Sequence, residues 1–147
     1  MLTLNAQLFT LYLCPSNFSG ITRPLYIDSV TSNAAVRLAL SQQLRGIARS
    51  ELLKQYSVID SEAIFRGSDS AFEALSTLLN EDHYFFGKAN PGLFDAGVFA
   101  YTNLLLNERL SWKETSMKDG LEKRPNLVEH RERILQAYFP LNVSIDA

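Results

Sequence analysis

The chain has one cysteine, Cys14, in 147 residues. A single thiol excludes an internal disulfide and any cysteine-based zinc site, and it fits a reducing compartment. Histidine is almost as scarce: His83 falls in a loop, and His130 on what reads as an exposed helix face. Neither has a second histidine or cysteine at ligand spacing, so no metal site is expected. Positive charge is not in excess. A net charge of -2 with no block of like charges excludes a nucleic-acid binder that works by neutralising phosphates. There is no Gly-x-Ser-x-Gly elbow, no phosphate loop and no dinucleotide fingerprint. No catalytic, cofactor-binding or metal residue is therefore assigned, and no cofactor is expected. No segment alternates apolar and polar residues for long enough to make a sheet, and no repeat is visible. The residues read as one all-α domain over 1–147, with five or six helices.

No apolar run is long enough to cross a bilayer, which takes about 20 residues. Leu2 to Leu13 has the composition of a signal-peptide core, but the first basic residue is Arg23, so the required basic start is absent. The run reads as a buried helix that begins without a cap, as though a longer chain had been cut within an element. Two Asn-x-Ser sequons, at Asn17 and Asn142, read as chance matches without a secretory signal.

What is present is organised around residues 84–106. A turn rich in glycine and proline leads into a helix that is apolar on nearly every side, with Asp95 as the only charge between Lys88 and Glu108. Such a helix belongs inside a bundle. Phe94, Val98, Tyr101 and Leu105 form a bulky stripe, and Ala96, Gly97 and Ala100 a small face that admits a second helix closely. With Gly92 as N-cap, Asp95 is the third helical residue. Its carboxylate reaches back to the Gly92 amide and sits at the positive end of the helix dipole. Gly92 and Asp95 are assigned as a structural cap rather than a catalytic pair.

Elsewhere, Cys14-Pro15 ends the first helix. Residues 16–31 form a loop with Leu25 and Tyr26 as apolar anchors, long for a helix connection and with room for a short turn of its own. Asn33 or Ser32 caps a helix running to about Tyr56, with a core stripe of Val36, Leu40, Leu44 and Ile47. Arg45 and Arg49 lie one turn apart on its other side and read as a solvated face, with a basic patch for an acidic partner or a lipid headgroup as the lesser reading. Asp60 opens a third helical region in which Ile64, Phe72, Leu75 and Leu79 share a face. Gly67 to Ser70 weakens its middle, leaving one helix or two. Residues 111–124 read as an exposed link with partial helix, and Trp112 as core. Asn126 and Glu129 form a capping box for a last helix carrying Leu127, Ile134 and Tyr138 on one stripe, with Glu129 and Arg133 paired outside. Pro140 stops it before a short, mobile tail.

Phe85-Phe86-Gly87, a short turn, and an aspartate in the first turn of an apolar helix together resemble the C-terminal helical domain of glutathione transferases. Within that superfamily the chain is more similar to the metaxin branch. Leu93-Phe94-Asp95-Ala96-Gly97-Val98-Phe99-Ala100-Tyr101 looks like its central helix. Pro125 to Val128, Arg133 to Leu135 and Tyr138-Phe139 look like its closing helix. Residues 33–53 resemble fungal metaxin-like subunits of the sorting and assembly machinery. The resemblance implies a glutathione-transferase C-terminal-like bundle without the thioredoxin-like domain, the C-terminal part of a longer family architecture. It implies a non-enzymatic docking subunit at the cytosolic face of the mitochondrial outer membrane, held there through its partners. Those partners are the membrane channel subunit that assembles β-barrel proteins and a second metaxin-like subunit. The alternative is the helical half of a glutathione transferase or a related small-molecule binder, with a ligand slot near Leu11, Tyr12 and Arg45.

Overall fold

A computed structural model describes residues 2–140, with side chains from Ala6 onward. Seven α-helices occur among these residues, and no strand: α1 (Leu2–Leu13), α2 (Pro15–Asn17), α3 (Ala34–Leu53), α4 (Ser61–Leu79), α5 (Leu93–Leu105), α6 (Ser116–Glu122) and α7 (Pro125–Tyr138). The all-α reading holds. The additional helix is the short α2, which Pro15 opens at its first position. The Asn142 sequon and the tail after Pro140 lie outside the described residues. The chain forms two compact units, Met1–Ala71 with Asn107–Met117, and Phe72–Leu106 with Lys118–Ala147.

In the first unit α1 packs on α3. Ala6, Leu52 and Ile64 make a small core with Leu13, Tyr56 and Ile59 against it. Residues expected as a loop instead wind into two wide π-type segments, Phe18–Thr22 and Pro24–Asp28. Phe18, Ile21 and Ile27 are buried there, while Leu25 and Tyr26, the expected anchors, are exposed. Asn17 is fully buried. Its amide nitrogen donates to Leu11 O at 3.1 Å. Its oxygen accepts from the amides of Lys113 and Glu114 at 2.8 and 3.1 Å. Both ends of that side chain are engaged, so the folded chain does not present the first sequon. Trp112 is buried beside this junction, edge-on to Tyr12 with ring centroids 5.3 Å apart.

Asn33 caps α3, accepting from the amides of Ala35 and Val36 at 3.0 and 3.2 Å. The stripe expected to fill the core does not do so: Val36 is 44 % and Ile47 53 % exposed, and Leu52 is the buried residue of α3. Helical spacing fixes which residues share a face; it does not supply the element that covers them. Asp60 caps α4 through the amides of Glu62 and Ala63. This is one continuous helix through Gly67 to Ser70. Gly67 marks a close approach, since a Cβ there would lie 3.3 Å from Gln7 Nε2.

In the second unit α5 packs on α7. The buried line of α5 is Asp95, Val98, Thr102 and Leu105. Ala96 and Ala100 face solvent and Leu93 is 90 % exposed, so the helix is covered on one side rather than two. Asn126 is not a cap. Its oxygen accepts from Ser76 Oγ at 2.8 Å, and its nitrogen donates to Ser76 O and Asn80 O at 2.9 and 3.1 Å, tying α7 to the end of α4. Pro125 at the first helical position takes the place of a capping box. Arg133 donates to His83 O at 2.6 Å rather than serving Glu129. Arg124, nearly buried, donates to Gly120 O and to Glu73. Leu127 and Ile134 are buried as their stripe requires, but Tyr138 is exposed.

The interior of the first unit holds one unbalanced group. Gln7 is fully buried, and neither its Nε2 nor its Oε1 has a hydrogen-bond partner. Replacing a buried unsatisfied amide by an apolar group of similar shape removes a desolvation cost. Gln7→Met is expected to stabilise the chain by about 1 kcal/mol in urea unfolding; a loss of stability would show that the amide is satisfied in solution.

Candidate functional site

Two places carry chemistry that packing alone does not require. The first is in the second unit. A turn (Phe85–Gly87) passes through the left-handed region at Phe86 and Gly87, with φ of 65° and 62°. Glycine takes that geometry freely and phenylalanine does not. The turn brings the Phe85 amide to Asp95 Oδ1 at 2.9 Å, while the Gly92 amide reaches Oδ2 at 2.8 Å. His130 Nε2, from α7, lies 2.9 Å from the same Oδ1. Asp95 is 1 % exposed and His130 fully buried. His130 is thus not on an exposed face, and its role is the chief correction to the sequence reading. It lies in phase with Leu127 and Ile134, the inward stripe of its own helix, and that spacing already pointed it inward.

The electrostatics follow from the donors. Burial alone raises the Asp95 pKa, but the Gly92 and Phe85 amides and His130 outweigh it and hold the carboxyl below its ordinary value. Burial lowers the His130 pKa, helped by Arg133 and opposed by Asp95, with the net shift downward. A neutral imidazole donating through Nε2–H fits the remaining atom: Nδ1 is buried with no partner, which a bare lone pair tolerates better than an N–H. The pair is closed to solvent and joins three segments, a polar node within the second unit. His83 lies in its loop, exposed.

The second place is in the first unit, an open groove of about 260 Å³. Phe9, Tyr12 and Leu13 of α1 form one wall, and Leu44, Ile47 and Ala48 of α3 the other. Phe18, Thr22 and Tyr26 close its end, with Thr22 Oγ1 already donating to Tyr12 O at 3.1 Å. Tyr12 is pushed up to about 12 by burial and by Tyr26, so the groove wall carries no charge near neutral pH. Beside it a second recess is lined by Arg45, Arg49, Leu53 and residues 57–59, and it shares Leu13 with the groove. The Arg45 guanidinium lies 4.0 Å above the Phe18 ring. Of the residues expected at a slot here, Tyr12 lines it, Arg45 stands at its edge and Leu11 is buried. Phe18 and Thr22 were not legible as liners, because the π-type turn that points them inward has no sequence period of its own. Among the described residues no group of three or more His, Cys, Asp or Glu is arranged to hold a metal ion.

The family model described as glutathione S-transferase, C-terminal domain, matches residues 68–134, just under half of the chain. A glutathione-transferase C-terminal-like helical domain is therefore present. The matched span contains the Asp95–His130 node and excludes every residue of the groove. No curated protein matches the chain.

The node predicts an acid-sensitive fold. An unfolded chain takes up protons on His130 below about pH 6.5 and on Asp95 below about pH 4, where the folded chain, with both values lowered, resists them. The unfolded state then binds more protons, so stability is complete above neutral pH and declines on acidification, first through His130 and then through Asp95. Urea midpoints measured across this range should fall with pH, and His130→Gln, which keeps a donor in place of Nε2, should lose the upper part of that slope. Asp95→Ala leaves two buried donors and one partly buried donor unpaired and should cost about 3 kcal/mol or more at neutral pH; a cost under about 1 kcal/mol contradicts the assignment.

Proposed function

We propose that the chain is a non-enzymatic docking module of the metaxin kind. In this reading it is an accessory subunit at the cytosolic face of the mitochondrial outer membrane, where it helps a membrane β-barrel subunit insert other β-barrel proteins. It binds that subunit and a companion of similar fold, and reaches the membrane through them. The observation that carries the proposal is the uncovered apolar face of α3: Val36 and Ile47 are exposed and Leu40 and Leu44 half-buried between them. Contiguous apolar surface of this kind marks contact sites for other proteins. The matched helical domain supports an interaction role, and its one acid–imidazole pair is sealed from substrate. No helix of the described residues is long and apolar enough to cross a membrane, which is in keeping with attachment through partners.

A second reading, a small-molecule-binding helical domain of the glutathione transferase kind, is favoured by the groove between α1 and α3. Glutathione-dependent transfer to an electrophilic substrate separates the two: turnover by the isolated chain would overturn the docking reading. The positive test is crosslinking in isolated mitochondria, where the chain is expected to capture an outer-membrane β-barrel assembly subunit. Val36→Glu alters an exposed position, so stability should change by no more than about 0.5 kcal/mol, while capture of that subunit is lost. Capture unchanged by Val36→Glu would remove α3 from the docking surface.

A further inference from the structure

The groove and the recess beside it have complementary chemistry. The groove offers hydrocarbon and aromatic walls, and its one threonine hydroxyl is already donated to the backbone. An alkyl chain asks for no polar partner from such walls. The recess carries Arg45 and Arg49, no carboxylate lines either cavity, and among the described residues no carboxylate pairs with either arginine. Arg45 is held over Phe18, a groove residue, which fixes its guanidinium at the point where the two cavities adjoin along Leu13.

From this the geometry points to a binding site for a single-chain fatty carboxylate, with its hydrocarbon chain in the α1–α3 groove and its carboxylate at Arg45 and Arg49. Guanidinium groups suit a carboxylate because they meet it with paired donors. An open groove with hydrocarbon and aromatic walls suits a single unbranched alkyl chain laid along it. Two arginines on a chain of net charge -2 fall short of the basic clusters that draw a protein to an anionic membrane surface. The inference rests on the small-molecule reading above and names its ligand class.

The test uses the whole chain and three amphiphiles of one chain length: dodecanoate, dodecanol and dodecyltrimethylammonium, each kept as monomer. Trp112 lies edge-on to the groove residue Tyr12 and reports occupancy by its fluorescence, with calorimetry as the second readout. Dodecanoate is expected to bind about tenfold more tightly than dodecanol, and the cation more weakly than either. Arg45→Gln with Arg49→Gln should bring dodecanoate and dodecanol to parity while dodecanol is unaffected. Ala48→Phe should block all three, with circular dichroism showing that the helices remain. Equal binding of the three amphiphiles overturns the carboxylate site and leaves the small-molecule reading standing. No binding of any overturns both. Binding to phosphatidylglycerol vesicles without binding of monomeric dodecanoate overturns the site in favour of a membrane surface.

Discussion

A carboxylate taken out of water must be given back its hydrogen bonds, and the second unit is arranged to do this for Asp95. Three donors converge on it: the Gly92 amide that opens its own helix, the Phe85 amide from the preceding turn, and the His130 ring from α7. Each donor belongs to a different segment, so the carboxylate fixes how the three meet. Once Asp95 faces inward, Val98, Thr102 and Leu105 follow at helical spacing and the rest of α5 must face out. The left-handed turn at Phe86 and Gly87, with a phenylalanine in an unfavourable geometry, is accounted for by the need to aim one amide at that acid.

Much of this was legible in the sequence, and the limits have physical causes. Helix starts were readable where a short polar side chain could reach a free amide, as at Asn33 and Asp60. The same logic misplaced Asn126, because Pro125 already satisfied the start of α7 and freed Asn126 to hold the end of α4. Periodicity grouped residues correctly on α3, α4 and α7. It could not say that the α3 stripe would remain uncovered, since exposure depends on what other elements do. For α5 it favoured the bulky stripe over the line that the buried acid dictates. Residue type alone sets His130 at the surface; its phase with the buried Leu127 and Ile134 sets it inside.

The two units bear on function differently. The second unit contains most of the matched family span, and its buried acid–imidazole pair joins its own segments. The first unit keeps its chemistry on the outside, with exposed apolar residues on α3, an apolar groove and two arginines that no carboxylate among the described residues pairs with. The docking role proposed above needs surface that the fold leaves unused, and the exposed residues of α3 are such surface. The groove lies on the same helix, and Leu44 and Ile47 belong both to its wall and to that apolar stripe.

The second unit is held by a buried, charged Asp95 bonded to a neutral His130. Nitrogen chemical shifts of the His130 ring at neutral pH test it most directly. The predicted result is a neutral imidazole with its proton on Nε2 and a slowly exchanging Nε2–H. An imidazolium, or a proton resident on Nδ1, would contradict it.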